Sequence, residues 1–226
     1  MKRKRTVGLA LTPIMAFVFM AATLWAAPPD NYTATMVMGG LSMPMAKMGQ
    51  KTRVETQMMQ NLATINLLDQ KKTIMLSPGK KSYFEQPMQQ DKTPNTMDPN
   101  AVVEKKKLGT ETIDGHPCIK YDAVIYFKDR PADKYKAILW EAQDLGGLPI
   151  RNEMDVPELK KMGGSGKIVT EMKNIKVGAA QASMFEVPRD YKKANSMQEL
   201  MGMGQPGNMD QMMKEMKKMK PPKGQE

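Results

Sequence analysis

Apolar and polar residues alternate with period two along most of this chain. Tyr32, Ala34, Met36 and Met38 are spaced by Thr33, Thr35 and Val37, and Ala63, Ile65 and Leu67 by Thr64 and Asn66. Successive side chains of a strand point to opposite faces, so these runs predict half-buried β-structure. Strands are expected near 31–38, 51–58, 62–69, 72–77, 82–86, 102–113, 118–128, 135–143, 149–156 and 167–176. Ser77-Pro78-Gly79-Lys80, Asp114-Gly115 and Leu145-Gly146-Gly147 are reversal signals between them, which makes consecutive strands antiparallel neighbours. Helical periodicity is absent before about residue 190, and a sheet with this many strands must curl or split into two layers. The segment 86–100, QPMQQDKTPNTMDPN, carries three prolines and little apolar content. It reads as a long loop, a lid or a spacer.

Both ends break the alternation. Lys2, Arg3, Lys4 and Arg5 precede an apolar run from Val7 to Ala26. A basic start, an apolar core and a small-residue exit are the parts of an export signal, so residues 1–26 are expected to be removed by cleavage after Ala26. The alternative is a retained anchor, because the run approaches the roughly 20 residues that span a bilayer; Thr12 and Pro13 interrupt it. The mature chain is then expected to be periplasmic, or else secreted, and not to span the membrane. Toward the other end, Gly202, Gly204, Pro206 and Gly207 break the chain. Beyond them Met209, Met212, Met213, Met216 and Met219 recur at the spacing of one helical face. The expected organisation is therefore a signal (1–26), a β domain (27–193) and a flexible Met/Lys-rich tail (194–226) with a short amphipathic helix.

Cys118 is the single cysteine, which excludes an internal disulfide and a lipid-acceptor cysteine at the cleavage site. Once the signal is removed, 30 basic residues face 24 acidic ones. Lysines are scattered in short groups such as Lys71-Lys72, Lys80-Lys81 and Lys105–Lys107. A nucleic-acid surface needs basic and aromatic residues gathered on one element, so no nucleic-acid partner is expected. Lysines in this pattern keep turns wet and discourage strand edges from pairing.

Four stretches carry a family likeness: KTIMLSPGKKSYFE (72–85), LGTETIDGHPCIKYDAVIY (108–126), LWEAQDLGGLPIRNEM (139–154) and MFEVPRDYKK (184–193). In their order along residues 32–193 the chain resembles an exported family related to the LolA-like lipoprotein-carrier half-barrels. The resemblance implies a mainly β fold, a curved antiparallel sheet of about eleven strands around a lid. It also implies an apolar concave face that receives acyl chains or a partner peptide. It supplies no catalytic motif and no enzyme activity, and no carrier-site residue is transferred.

The candidate chemistry begins with 25 methionines. A thioether is a flexible apolar gap-filler and also a soft ligand for Cu(I). On the first reading Met36, Met38, Ile138, Trp140 and Ile150 line a site for a lipid or other hydrophobic ligand, and Met209, Met212, Met213, Met216 and Met219 form a lid or partner helix. On the second, Met43, Met45 and Met48, with Met209, Met212, Met213 and Met216, hold Cu(I). A third reading is an envelope scaffold that binds protein alone. No cofactor is expected. His116 and Cys118 point to one side if extended, yet no second histidine or cysteine completes a nucleophile or metal set. Glu141 and Asp144 read as a strand residue and a turn residue, and Gly163-Gly164-Ser165-Gly166 lacks the Lys-Ser end of a phosphate loop. Protein extracted from its native envelope is expected to begin at Ala27 or Pro28; N-terminal sequencing that finds Met1 intact overturns the export reading.

Overall fold

A computed structural model of the protein describes residues 27–57, 61–89, 93–94, 96, 98–161 and 163–202. The expected signal 1–26 and the stripe Met209–Met219 lie outside the described residues. The strands are β1 (Asn31–Met38), β2 (Leu41–Met48), β3 (Lys51–Thr56), β4 (Leu62–Leu67), β5 (Lys72–Ser77), β6 (Ser82–Pro87), β7 (Ala101–Ile113), β8 (His116–Phe127), β9 (Arg130–Ala142), β10 (Leu148–Asp155), β11 (Lys167–Val177) and β12 (Lys192–Lys193). They form one curved, unclosed sheet of twelve strands in the order β12-β6-β5-β4-β3-β2-β1-β11-β10-β9-β8-β7. Every pairing is antiparallel except β12 on β6. Among the described residues two five-residue helices, α1 (Pro157–Lys161) and α2 (Met197–Met201), and short 3-10 turns complete the regular structure.

Ten of these strands coincide with strands expected from the sequence; β2 and β12 do not. Residues 39–40 close the β1–β2 hairpin with both glycines at positive φ, +58° and +81°, a turn that side chains with a Cβ enter only under strain. Pro44 lies within β2 opposite Thr35 of β1, and the β2–β3 ladder begins only at Met45. A proline is tolerated in a strand where no neighbour needs its missing N–H. β12 has two residues and no alternation to read. β7 is the opposite edge, thirteen residues long, with a register shift between Lys107 and Gly109.

Register defines the two faces. Met36 stands opposite Met43 and Met172, Met45 opposite Val54, and that row continues through Thr64, Met75 and Phe84. These residues share the Met36 face. Arg53, Ile65, Ile74 and Glu85 form a parallel row on the other, the Ile65 face. On the Ile65 face Ala46, Ala63, Ile65, Leu67, Ile74 and Leu76 are sealed by Ala180 and by Phe185 of the 3-10 turn Ala182–Phe185.

Two short helices seal the flanks of the Met36 face. Leu159 of α1 packs with Ala137, Leu139, Met154 and Val156. Leu200 of α2, fully buried, packs with Leu62 and Ala194, and Met75 and Phe84 lie against them. Five residues cannot hold a helix by propensity. Local chemistry supports α2 instead: Ser196 Oγ accepts from the Glu199 N–H at 3.1 Å, and the Glu199 carboxylate reaches back to the Asn195 N–H at 2.8 Å. Gly202, left-handed at φ +72°, ends the helix.

Two outcomes follow. Leu200→Ala opens a cavity under α2 and should lower unfolding free energy by about 2–5 kcal/mol; an unchanged urea midpoint contradicts the docking of α2. Tyr32 is fully buried, and burial pushes its hydroxyl up to about 12. The unfolded chain ionises Tyr32 first, so its contribution is intact below about pH 10 and is lost as pH rises through about 12. Across that window the stability of Tyr32→Phe should fall less steeply than that of the parent, and parallel pH profiles refute the assignment.

Candidate methionine strip on the sheet

Between the clusters sealed by α1 and α2, the Met36 face carries a strip built by β2, β1 and β11. Met43, Met36 and Met172 stand in one row across the three strands, Met45 is opposite Ala34, and Met38 is opposite Leu41 and Thr170. Exposure grades along the strip: Met172 (3%), Met43 and Met45 (both 6%) are buried, Met36 is half-buried, and Met38 (39%) and Leu41 (43%) are open at the hairpin end. The pleat explains this order. Residues two apart on β1 share a face, and the end of the hairpin projects beyond its neighbours' cover.

The expected lining residues divide over the sheet. Met36 and Met38 lie on the strip. By register Trp140 is opposite Arg151, which is opposite Glu171, the partner of Val37, yet Trp140 belongs to one buried cluster with Ala34, Met45 and Met172, against which both Met36 and Ile138 pack. Trp140 is sheathed by the protein's own charges. Lys120 Nζ stands 4.8 Å and Arg151 Cζ 5.0 Å from its ring centroid, and its indole N–H donates to Glu111 at 2.8 Å. That hydrogen bond, with Lys120 nearby, holds the Glu111 carboxyl below its ordinary range. Cation–π contacts of this kind give the ring partners without any ligand. Ile150 is skipped by the register between Pro149 and Arg151. It joins a buried cluster that takes Tyr32, Ala34, Met45 and Met172 from the Met36 side and Trp140, Ala142 and Cys118 from the other. A bulge twists its strand and re-aims side chains, which lets one cluster draw on both alternations.

The methionines grouped in sequence also separate. Met43 and Met45 lie on the strip, whereas Met48 packs against the cluster of the Ile65 face. Met172, absent from the sequence-based set, joins them through β11. His116 Nδ1 lies 2.7 Å from Asp144, and the Cys118 thiol donates to the His116 carbonyl at 3.3 Å. Cys118 is fully buried, and burial pushes its thiol up, away from the reactive thiolate. Glu141 pairs instead with Lys105 at 2.6 Å, so Glu141 and Asp144 serve separate partners.

A groove of about 560 Å³ opens on the Ile65 face between β1–β3 and residues 181–184. Arg53 crosses it, donating to the Met184 carbonyl and to Glu55, both at 2.8 Å; Thr33, Thr35 and Lys176 line it together with Ala34, Met45 and Ala46. Among the described residues no helix is long and apolar enough to cross a membrane.

Among solved structures the chain is similar to PNGF-II (TM-score 0.40, 13% identity, covering 76% of this chain and 32% of that one). It is similar also to a chain of the Pseudomonas aeruginosa MucA/MucB complex (TM-score 0.43, 12% identity, 74% and 58%). A third is a LolA superfamily protein from Nitrosomonas europaea (TM-score 0.34, 13% identity, 72% and 91%). The chain thus spans less than two thirds of the first two. No curated protein matches it. The sequence profile described as "Domain of unknown function (DUF4412)" matches residues 28–150, more than half of the chain, and this protein belongs to that family.

Proposed function

We propose that this protein is an exported, non-catalytic binder that holds a lipid acyl chain or another hydrophobic segment on the Met36 face. One observation carries the reading: α1 and α2 seal the flanks of that face, and the strip between them grades from buried Met43 and Met172 to exposed Met38 and Leu41. An acyl chain laid along the strip extends a core that already exists, gaining about 25 cal/mol for each Å² of apolar area removed from water. Methionine suits this task because its unbranched thioether adapts to chains of varied shape.

We propose further that Met209, Met212, Met213, Met216 and Met219 are the cover for the strip. α2 lies on the Met36 face over β5 and β6, so the chain leaves Gly202 on the same side as the strip. The seven residue steps from Gly202 to Met209 reach about 25 Å when extended, the width of about five strands. Met209, Met212, Met213, Met216 and Met219 can therefore be laid over β1 and β2. Export by the signal 1–26 places this exchange in the periplasm.

Met38→Ser together with Leu41→Ser removes the exposed apolar end without touching the buried row. Binding of a fluorescent fatty acid should weaken at least several-fold while the urea midpoint stays near that of the parent. Replacing the five tail methionines by serine should strengthen it, because the competing cover is gone. Fatty-acid affinity indifferent to both changes defeats the proposal.

A further inference from the structure

We propose that Met36, Met43 and Met172 form a Cu(I) site; this goes beyond the acyl-chain reading and does not rest on it. The three methionines are separated in sequence but adjacent in the sheet, Met43 on β2 and Met172 on β11 each directly opposite Met36 on β1. Cβ atoms of directly opposed residues lie about 4.5–5.5 Å apart. A methionine side chain has three rotatable bonds, so three sulfurs can meet above Met36 with the backbone in place. Met38 and Met45, two residues along β1 and β2, flank the row and offer a fourth thioether.

The donor set selects the ion. Thioethers are soft and neutral; they suit Cu(I) and leave hard divalent cations to oxygen ligands. Met43 and Met172 are held in the core, whereas Met36 is half-buried and Met38 is 39% exposed, which gives an ion an entrance from the hairpin end. A thioether has no proton to lose. Its affinity for a metal therefore escapes the acid sensitivity of sites built from imidazole, thiolate or carboxylate.

The test is anaerobic titration of the full mature chain with Cu(I) against a chromophoric Cu(I) chelator. The parent should bind one tight equivalent. Met36→Leu and Met172→Leu, which keep apolar volume, should each weaken binding by roughly 10–100-fold or more, the penalty already seen when only a ligand's supporting residue is removed. Met48→Leu, on the opposite face, should leave it unchanged, and affinity should stay level from about pH 7 to about pH 5. Absence of tight binding in the parent, retention in Met36→Leu/Met172→Leu, or loss only when the five tail methionines become leucine would each overturn the site. So would a steep decline with acid. Met36→Leu sits at the half-buried position and keeps the result independent of core packing. Fatty-acid affinity measured on the same variant separates failure of the copper site from failure of the acyl-chain reading.

Discussion

The pairing of β1 with β11 is the constraint on which the rest of the architecture depends. It joins two antiparallel meanders, β1–β6 and β7–β11, that would otherwise be separate sheets with additional open edges. Loop-closure entropy opposes a contact between segments this far apart, although only logarithmically with length. Asn31 helps to offset that cost. Its side chain donates to the Ala180 carbonyl at 3.0 Å and accepts from the Ala180 N–H at 2.9 Å, while its own carbonyl accepts from Gly178 at 2.8 Å. One residue thereby fixes where β11 ends and where the chain turns to cover the Ile65 face.

From that junction follows the division of labour between faces. The chain after β11 crosses the Ile65 face as the 3-10 turn Ala182–Phe185, pairs as β12 with the edge of β6, and comes round to the Met36 face as α2. The path covers the β4–β5 part of the Ile65 face with Ala180 and Phe185 and brings α2 to the other face. The methionine row exists because β11 arrives beside β1 in a register that sets Met172 opposite Met36. A slip of one residue would replace it by Glu171 or Lys173.

Much of the sheet was legible in the sequence, because half-buried strands in an antiparallel meander must alternate and their turns require particular residues. β2 escaped for a local reason. Gly39-Gly40 is a hairpin signal, but a proline inside a run argues against a strand, and the allowance for Pro44 depends on where the β3 ladder begins. α1 and α2 are too short for periodicity to register. The site was partly legible: alternation put Met36 and Met38 on one side of β1. It could not tell that Trp140 and Ile138, which the register sets in line with Val37, pack against the same cluster as Met36, since that depends on the bulge at Ile150 between β9 and β10. Nor could spacing along the chain show Met172 beside Met36.

The two edges of the sheet are unequal. β12 covers β6 with two residues held by the Lys193–Glu85 ion pair at 2.8 Å, whereas β7 presents a long outer ladder guarded by Lys106 and Lys107 and by its register shift. Growth of the sheet onto another molecule has a direction, and on the β7 side the barrier is largely charge. In about 1 M salt the screening length shrinks to about 3 Å, less than the roughly 4.8 Å between adjacent strands. Charge is therefore a weaker guard of this edge at high salt, while the backbone groups of β7 still offer their hydrogen bonds.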